Sequence, residues 1–365
     1  MIYLDYQATT PLCPEARDAM LRWLGGPDSD TFGNPHSPHR IGRMAAAAVE
    51  TARERVGALL PEGGAAIFTS GATEALNMVL QGTPGDVITF DTEHAAVLDC
   101  AKVVEAQGRR FTVLPVTSDG RADLDALQAA ITPTTGLVAV MAINNEIGVL
   151  NPLAAVVDIA RQVGARVLVD AVQAYGRVPV DVAADYIAIS AHKAHGPKGI
   201  GALWIGPNAP LPAPLMLGGG QEASLRSGTL SPALCAGFGA AAQVAHERML
   251  DDMFHVKHMW NTAREALAEW ELNGSAEHRW HGNINLRKDG LDVARLMSDC
   301  RNIMFSAGSA CASGSGRPSH VLRAIGLTDI QAKSSIRLGF GRYTTAQDIE
   351  TAAAAINAAA KEQGL

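Results

Sequence analysis

Two short stretches decide the fold: Arg166-Val-Leu-Val-Asp170 and Tyr186-Ile-Ala-Ile-Ser-Ala-His-Lys193. Each begins as an apolar, β-rich run and ends in polar residues, which is typical of a buried strand in a parallel sheet. Ligands of open α/β sheets bind outside the carboxyl ends of the strands. Because Asp170 and Lys193 end consecutive strands, we expect an acid and an amine around one pocket.

The same alternation of β-rich runs and helical stretches extends from about residue 50 to residue 205. The predicted strands span residues 66–69, 86–90, 137–143, 166–169, 186–189 and 202–205. The predicted helices between several of these strands span residues 72–80, 97–107 and 153–163. This alternation predicts a doubly wound α/β domain with a mostly parallel sheet.

A second, smaller domain is predicted after this sheet. From Ser231 to about Trp270 the chain has a long helical pattern, which suggests a helix that leaves one domain for another. Shorter strand-like pieces follow at 280–286 and 335–338, with a Ser/Gly-rich stretch at 306–316 and an Ala-rich terminal helix. We therefore predict a large domain over residues 15–250 and a small α+β domain over residues 1–14 and 251–365.

The composition excludes several classes of protein. With 47% hydrophobic and 18% charged residues, the 365-residue chain is neither disordered nor collagen-like. Its net charge of −7 provides no overall basic field for nucleic acid or an anionic membrane. No stretch approaches the ~18 apolar residues that span a bilayer. The five scattered cysteines contain no Cys-x-x-Cys pair, so neither disulfides nor a zinc knuckle is indicated, and a cytoplasmic location is expected.

Polar residues also follow three other predicted strands. Ser70-Gly-Ala-Thr-Glu74 opens a helix after the first, His94 follows the second, and Asn144-Asn145 follows the third. Free backbone N–H groups and a hydroxyl at a helix start form a phosphate cradle, although the motif alone equally suits an ordinary N-cap. Taken singly, His94 suits a structural histidine, Asp170 a turn carboxylate and Lys193 a solvated lysine.

In combination these residues point to one cofactor. Pyridoxal phosphate takes a lysine as Schiff base, a carboxylate that keeps its pyridine nitrogen protonated, and a phosphate cradle. Lys193, Asp170 and the turn at 70–73 supply this set, and the flat ring of His94 could stack on the cofactor. Lys198 is the alternative amine, but it lies in a glycine-rich turn leading into the next strand. Lys193 is closer to a strand end and is preferred.

Motifs for other cofactors are missing or misplaced. The sequence contains no G-x-x-x-x-G-K-[ST] motif. Gly237-Phe-Gly-Ala-Ala-Ala242 has glycines like those of a dinucleotide fingerprint, but it lies in helical sequence with no preceding strand. The histidines show no H-E-x-x-H spacing, so no metal site is predicted.

Cys311 differs from the other cysteines in its surroundings. It lies in Ser306-Ala-Gly-Ser-Ala-Cys-Ala-Ser-Gly-Ser-Gly316, a composition found in flexible, exposed segments. By composition alone, a linker in which Cys replaces Ser is a serious alternative. The remaining cysteines have neighbours that suggest turns or helices and are predicted to be structural thiols: Cys13, Cys100, Cys235 and Cys300.

The sequence resembles the cysteine desulfurases of the NifS/IscS type, in the class V group of pyridoxal-phosphate enzymes. The resemblance runs through nearly the whole chain and implies fold type I of the pyridoxal-phosphate-dependent transferases. The motifs that carry it, in order, are Tyr3-Leu-Asp-Tyr-Gln-Ala-Thr-Thr-Pro11, Gly33-Asn-Pro-His-Ser37, Ser70-Gly-Ala-Thr-Glu74, Thr92-Glu-His94, Asn144-Asn-Glu-Ile-Gly148, Asp170-Ala-Val-Gln173, Ser190-Ala-His-Lys-Ala-His-Gly-Pro-Lys-Gly199, Gly218-Gly-Gly-Gln-Glu222, Arg226-Ser-Gly-Thr229, the Cys311 run and Ser335-Ile-Arg-Leu338.

This resemblance implies a role for each residue around the cofactor ring. Lys193 would form the Schiff base. Asp170 would pair with the pyridine nitrogen. His94 would stack on the ring and assist proton transfer. Asn145 and Gln173 would bind the phenolic oxygen.

Other residues are implied to bind the phosphate and the substrate. Those implied to hold the phosphate are Thr73, Ser190 and His192, and Ala72 is implied to be a further cofactor-binding residue. Thr229 would reach the phosphate from the other subunit of a homodimer. Arg337, together with Asn145, would bind the substrate carboxylate, a task that suits a planar pair of donors.

The implied activity is conversion of L-cysteine to L-alanine. Cys311, as a thiolate, would take the sulfur as a persulfide and pass it to an acceptor for thiolation or iron–sulfur cluster assembly, such as a scaffold protein with which it could share a cluster. Two alternatives remain open. Selenocysteine lyase or another class V activity would need Lys193 but not Cys311, and a non-catalytic partner protein would keep the fold without the cofactor. No direct nucleic-acid or membrane partner is expected.

Overall fold

The computed structural model describes residues 1–308 and 318–365. Within these ranges the strands are β1 (Ile2–Tyr3), β2 (Ala65–Thr69), β3 (Asp86–Phe90), β4 (Phe111–Leu114), β5 (Thr135–Met141), β6 (Arg166–Asp170), β7 (Tyr186–Ser190), β8 (Gly201–Ile205), β9 (Glu271–Leu272), β10 (Asn283–Arg287), β11 (Ile303–Met304), β12 (Ser306–Ala307) and β13 (Ser335–Gly339). The α-helices are α1 (Pro14–Leu21), α2 (Arg40–Gly57), α3 (Ala72–Gly82), α4 (Ala95–Leu98), α5 (Ala101–Ala106), α6 (Leu124–Ala130), α7 (Leu153–Arg161), α8 (Pro232–Ala266), α9 (Val293–Asp299), α10 (His320–Ala324), α11 (Asp329–Lys333) and α12 (Ala346–Lys361). The short 3-10 helices are Ala191–Lys193 and Glu222–Ser224.

The main sheet has the strand order β2-β8-β7-β6-β5-β3-β4. β8 runs antiparallel to both of its neighbours, and the other paired strands run parallel to one another. β2 therefore points the same way as β7, and the carboxyl ends of β2, β3, β5, β6 and β7 lie at one edge of the sheet. The predicted α/β fold with a mostly parallel sheet is confirmed.

Each central strand is buried on both faces, which explains its nearly continuous apolar sequence. In β6, Val167 and Val169 pack into one hydrophobic core while Leu168 packs into the other. Helix α3 covers the second face, because Ala75 and Val79 belong to the same core as Leu168. Packing on both faces fixes the register of the strands, and thereby the positions of the polar residues at their ends.

Three elements differ from the sequence prediction. The prediction of a single helix over residues 97–107 is wrong, since the chain forms α4 and α5. A tight turn ends α4, and in it Cys100 N–H donates to Val97 O at 3.1 Å. Strand β4 was not predicted, and it lies at the edge of the sheet with Val113 exposed. The strand predicted at 280–286 begins only at Asn283, since Trp280 N–H donates instead to Gly148 O.

The smaller antiparallel sheet has the order β12-β13-β10-β9 and packs with α9 and α12 around a separate core. Leu4, near the N-terminus, belongs to this core, and Met259 and Ala263 join it from the second half of α8. The first half of α8 packs against the main sheet through Phe238 and Ala242. The domain boundaries given above stay a prediction.

The N-terminal segment runs between the two sheets. β1 pairs in parallel with β11, and an isolated bridge joins Asp5 to Gly339 at the end of β13. This path carries Gln7 and Ala8 to the edge of the main sheet, where both line a cavity. Among the described residues, none of the helices combines the length and the apolar character needed to cross a bilayer.

Candidate active site

A cavity of about 550 Å³ lies at the carboxyl edge of the main sheet. Its wall combines residues that follow five different strands with residues of the N-terminal segment and of β13. The sequence-predicted site residues that it brings together are Ala72, Thr73, His94, Asn145, Asp170, Gln173, Ser190, His192, Lys193 and Arg337. Thr229 is exposed and lies apart from this wall. Cys311 lies outside the described residues.

Lys193 ends the short 3-10 helix that follows β7. Its Nζ donates to the main-chain carbonyls of Gln7 and Ala8, the latter at 2.8 Å. The N-terminal segment therefore holds the amine in place at the cavity wall. Lys198 also lines the cavity, but it is an exposed residue of the turn that follows.

A buried carboxyl group, Asp170, lines the cavity, and a second one, Glu93, lies near enough to feel its charge. Asp170, the last residue of β6, accepts a hydrogen bond from Val172 N–H at 2.9 Å. Burial raises the pKa of Asp170, while the Val172 bond and the charges of His94 and Lys193 act in the opposite direction. Glu93 accepts from Met141 N–H at 2.7 Å, and its Oε2 has no hydrogen-bond partner in the described ranges 1–308 and 318–365. Burial, followed by the charge of Asp170, raises the pKa of Glu93 well above its usual range, which favours the protonated form of Glu93.

His94 is fixed by the chain immediately after it. Its Nδ1 accepts a hydrogen bond from Ala96 N–H at 3.0 Å and thereby caps α4. Because Nδ1 acts as the acceptor, the neutral imidazole carries its hydrogen on Nε2. The His94 ring lines the cavity in this fixed orientation.

The start of α3 is suited to binding an anion. No side chain in the described part of the protein caps this helix, so its first N–H groups are left for another acceptor. A Cβ added to Gly71 would meet no protein atom within 4 Å, which shows that the space beside this turn is open. The nearby carboxylate of Glu74 is paired with Arg226 at 2.7 Å and is thereby neutralised.

His192 also lines the cavity. Its Nδ1 is 3.1 Å from Thr9 Oγ1. Burial, and then the charges of Lys193, Lys198 and Arg177, lower the pKa of His192 to about 4. His192 is therefore neutral at physiological pH and acts as a hydrogen-bonding group rather than as a cation.

Arg337 reaches the cavity from the middle of β13 and is almost completely buried. Nη1 donates to Asn145 O at 2.9 Å, and Nη2 donates to Asp5 Oδ1 at 2.7 Å and to Ser306 Oγ at 3.3 Å. Among the residues that the structure describes, none accepts a hydrogen bond from its Nε. A buried guanidinium with an unused donor provides a place for a carboxylate.

Sequence reasoning gave no role to several groups that shape this site. Asp5 and Glu93 lie inside motifs that carry the resemblance. The motifs do not indicate that Asp5 pairs with Arg337 or that Glu93 is a buried acid. Arg177, which bonds Gln173, was not noticed. The available signal was its spacing of four residues from Gln173, which places the two side chains together if the chain forms a helical turn.

The four cysteines in the described part of the chain are buried free thiols: Cys13, Cys100, Cys235 and Cys300. Burial raises the pKa of all four, to about 11 for Cys100 and about 12 for Cys235. A protonated, buried thiol is a poor nucleophile. These four residues therefore suit the structural role predicted for them.

Comparisons with known proteins agree over almost the whole chain. A family model described as aminotransferase class-V matches residues 2–351. Cysteine desulfurase IscS of Rickettsia bellii is 42% identical over 369 residues, covering 96% of this chain and 89% of that protein. The mitochondrial cysteine desulfurase of Saccharomyces cerevisiae is 42% identical over 98% of this chain and 74% of that protein. A solved structure titled NifS-like protein has a TM-score of 0.90 at 29% identity and covers 99% of both chains.

Proposed function

The chain belongs to the class-V aminotransferase family, and from this premise we propose that it is a pyridoxal-phosphate-dependent L-cysteine desulfurase. The family and the cofactor predicted from the sequence motifs are confirmed. The observation that carries the proposal is the single cavity that holds Lys193, Asp170 and Arg337 together. An amine, a buried acid and a guanidinium with an unused donor match the needs of a cofactor aldehyde, a pyridine nitrogen and an amino-acid carboxylate.

The residues present fit pyridoxal phosphate. The uncapped start of α3 and the open space beside Gly71 suit its phosphate, and Ser190 and His192 line the same cavity. The buried carboxylate of Asp170 suits a protonated ring nitrogen. When bound, pyridoxal phosphate supplies an electron sink for the electron pair left on the substrate carbon.

The protein's own groups would then bind the substrate and move its proton. Arg337 would bind the carboxylate of L-cysteine through the Nε donor that no protein group uses. Lys193 Nζ would take the proton from the substrate α-carbon, since it is the amine held at the cavity wall. His94, which lines the cavity and carries the hydrogen of its neutral ring on Nε2, would assist this proton transfer.

We propose that Cys311 takes up the sulfur. Its thiolate would attack the substrate sulfur, a sulfur–sulfur bond would form as the carbon–sulfur bond breaks, and the substrate would leave as L-alanine after protonation. The described residues on either side of its segment lie next to the cavity wall. Before it, Ser306 accepts from Arg337, and after it, Ser319 donates to Glu146, the neighbour of Asn145.

The partners and the location form a further part of the proposal. An acceptor protein, such as an iron–sulfur scaffold, would take the persulfide sulfur. A second copy of the chain would supply Thr229 to the phosphate side of the cavity, and the exposed position of Thr229 on one chain supports this. A cytoplasmic location is supported by the four buried cysteines, all of which are free thiols.

The test is to measure alanine and sulfide from L-cysteine with the wild type, Lys193→Ala and Cys311→Ser. Both variants should lose sulfur release, and only Lys193→Ala should lose the visible absorption of the bound cofactor. Full-rate sulfur release by Cys311→Ser would contradict the persulfide role. A preference for selenocysteine that survives Cys311→Ser would instead identify a selenocysteine lyase.

A further inference from the structure

Arg177 lies directly behind the cavity and is buried among neutral groups. Nη2 donates to Tyr6 O at 3.1 Å and to Lys193 O at 2.7 Å, and Nη1 donates to Gln173 Oε1. The guanidinium also lies over the ring of Trp280, 4.6 Å from its centroid. Every one of these contacts is to a neutral group, so no carboxylate among them offsets the buried positive charge.

Arg177 determines which way the amide of Gln173 faces. A guanidinium can only donate hydrogen bonds, so Gln173 must turn its oxygen toward Arg177 and its nitrogen away. One hydrogen of that nitrogen bonds Gln7 O at 3.1 Å. The other hydrogen is left for a group in the cavity, which Gln173 lines. Without Arg177 the amide could rotate and present its oxygen to the cavity instead.

We propose that Arg177 is a positioning residue that fixes Gln173 as a hydrogen-bond donor toward the cofactor's phenolic oxygen and favours the anionic form of that oxygen. The inference rests on the proposed function, because it requires pyridoxal phosphate in the cavity. Two physical effects act in the same direction. The amide donor stabilises a phenolate directly, and an uncompensated positive charge in a low-dielectric region favours a nearby anion.

Arg177 also helps to fix the position of Lys193. Its bond to Lys193 O fixes the main chain of that residue, while Lys193 Nζ is held by Gln7 and Ala8 carbonyls. Burial lowers the pKa of Arg177 to about 9, which still leaves it charged at neutral pH. Arg177 thus joins the N-terminal segment, the β6 end and the β7 end behind one wall of the cavity.

Other charged groups near Arg177 stay unchanged in the test. On the cavity side these are His94, Asp170, His192, Lys193, Lys198 and Arg337, with the Glu74–Arg226 pair farther along the wall. On the opposite side a small cleft is lined by His195, Asp252 and Arg342. Asp252 is paired with Arg342 at 2.7 Å, so it does not serve as a counter-charge for Arg177 alone.

The experiment titrates the visible absorption of bound pyridoxal phosphate with pH in the holoenzyme. Arg177→Met should raise the midpoint by about one pH unit, because a nearby positive charge and a phenolate donor are both lost. It should also weaken pyridoxal phosphate binding about tenfold. Arg177→Lys keeps the charge and one hydrogen-bonding nitrogen, and it should recover most of the midpoint. An unchanged midpoint in Arg177→Met would overturn the inference.

Two further variants separate positioning from simple structural support. Arg279 is the matched control, a buried arginine that also donates to main-chain carbonyls but lies away from the cavity wall. Arg279→Met should lower thermal stability and leave the midpoint unchanged. In a Gln173→Leu background, Arg177→Met should shift the midpoint much less than in the wild type, since Arg177 acts largely through Gln173. Equal shifts in both backgrounds, or a shift in Arg279→Met, would overturn the inference.

A variant that keeps the arginine guards against failure to fold. Gln173→Glu places a carboxylate against Arg177, which neutralises its charge and removes the amide donor, so the midpoint should rise as in Arg177→Met. A midpoint that stays in place would count against the inference. A wild-type protein that binds no pyridoxal phosphate would overturn the proposed function and this inference together, whereas unshifted variants of a normally loaded protein would overturn this inference alone.

Discussion

The cavity wall is built from two regions that hold their polar groups in different ways. On the main sheet, Asp170 and Ser190 end neighbouring parallel strands, and Lys193 follows three residues later, so the register of the sheet alone brings them together. On the small sheet, Arg337 lies in the middle of β13, and acceptors from three separate segments orient it. The register of neighbouring strands thus determines where the main-sheet residues lie, whereas contacts between segments distant in sequence determine the orientation of Arg337.

The two regions also divide the proposed chemistry. The main-sheet region would hold the cofactor, and the small-sheet region would hold the substrate carboxylate. Variants of the two regions should therefore change different measured quantities. Loss of cofactor properties is expected on one side and loss of substrate affinity on the other.

The largest effect is expected for Asp170→Asn, on the cofactor side. A neutral amide cannot hold the ring nitrogen protonated, so kcat should fall by at least about 100-fold while KM changes little. The visible absorption of the bound cofactor should change as well. Asp185→Asn is the matched control, because Asp185 is buried at the opposite end of the same strand pair and is paired with Arg161 and Arg166.

The control variant should lose stability but keep the cofactor spectrum and kcat. If Asp170→Asn instead raised KM and left kcat and the spectrum unchanged, the assignment of Asp170 to the cofactor side would be wrong.

A smaller effect is expected for Arg337→Lys, on the substrate side. Lysine keeps the charge but loses the planar pair of donors, so KM for L-cysteine should rise about tenfold with a smaller change in kcat. The cofactor spectrum without substrate should stay as in the wild type. Arg287→Lys alters another buried arginine of the same sheet, one paired with Glu271 and Asp289, and should leave KM unchanged.

A lost cofactor spectrum in Arg337→Lys would show that the two regions do not divide the work in this way. Equal increases in KM for both arginine variants would point to a general disturbance of the small sheet.

The smallest effect is expected for Glu93→Gln, behind the cofactor side. Because burial raises the pKa of Glu93 in the folded protein, a pH above the usual carboxyl range ionises Glu93 first in the unfolded chain, which favours unfolding. Glutamine cannot ionise and can still accept from Met141 N–H. The variant should therefore melt about 2 °C higher than the wild type at pH 8, with a smaller gain at pH 5.

Glu265→Gln, at an exposed position of α8, provides the control and should show no such pH dependence. A gain for Glu93→Gln that is the same at both pH values would contradict the protonated, buried state of Glu93.

The same contrast explains what the sequence could predict. Lys193 and Asp170 could be predicted from the residues alone, because the carboxyl ends of neighbouring parallel strands lie at the same edge of the sheet. Arg337 came only from the resemblance, since an arginine in the middle of a short apolar strand gives no local sign of a binding role. Arg177 was missed because its function depends on carbonyls of Tyr6 and Lys193, which no local pattern brings together.

The errors in the fold have a similar origin. The periodicity at residues 97–107 is helical throughout, but it does not reveal the tight turn at Cys100, whose Sγ bonds Ala96 O at 3.3 Å. Strand β4 is half exposed at a sheet edge, and its short sequence lacks the continuous apolar character of the central strands. Central strands were predicted well because burial on both faces constrains their composition.

The most direct test of the proposed function is mass spectrometry of the Cys311 peptide after the holoenzyme is mixed with L-cysteine and no acceptor. The account predicts one added sulfur atom on Cys311, L-alanine formed in equal amount, and neither product in Lys193→Ala. Alanine formation with an unmodified Cys311 and sulfur released directly as sulfide would contradict it.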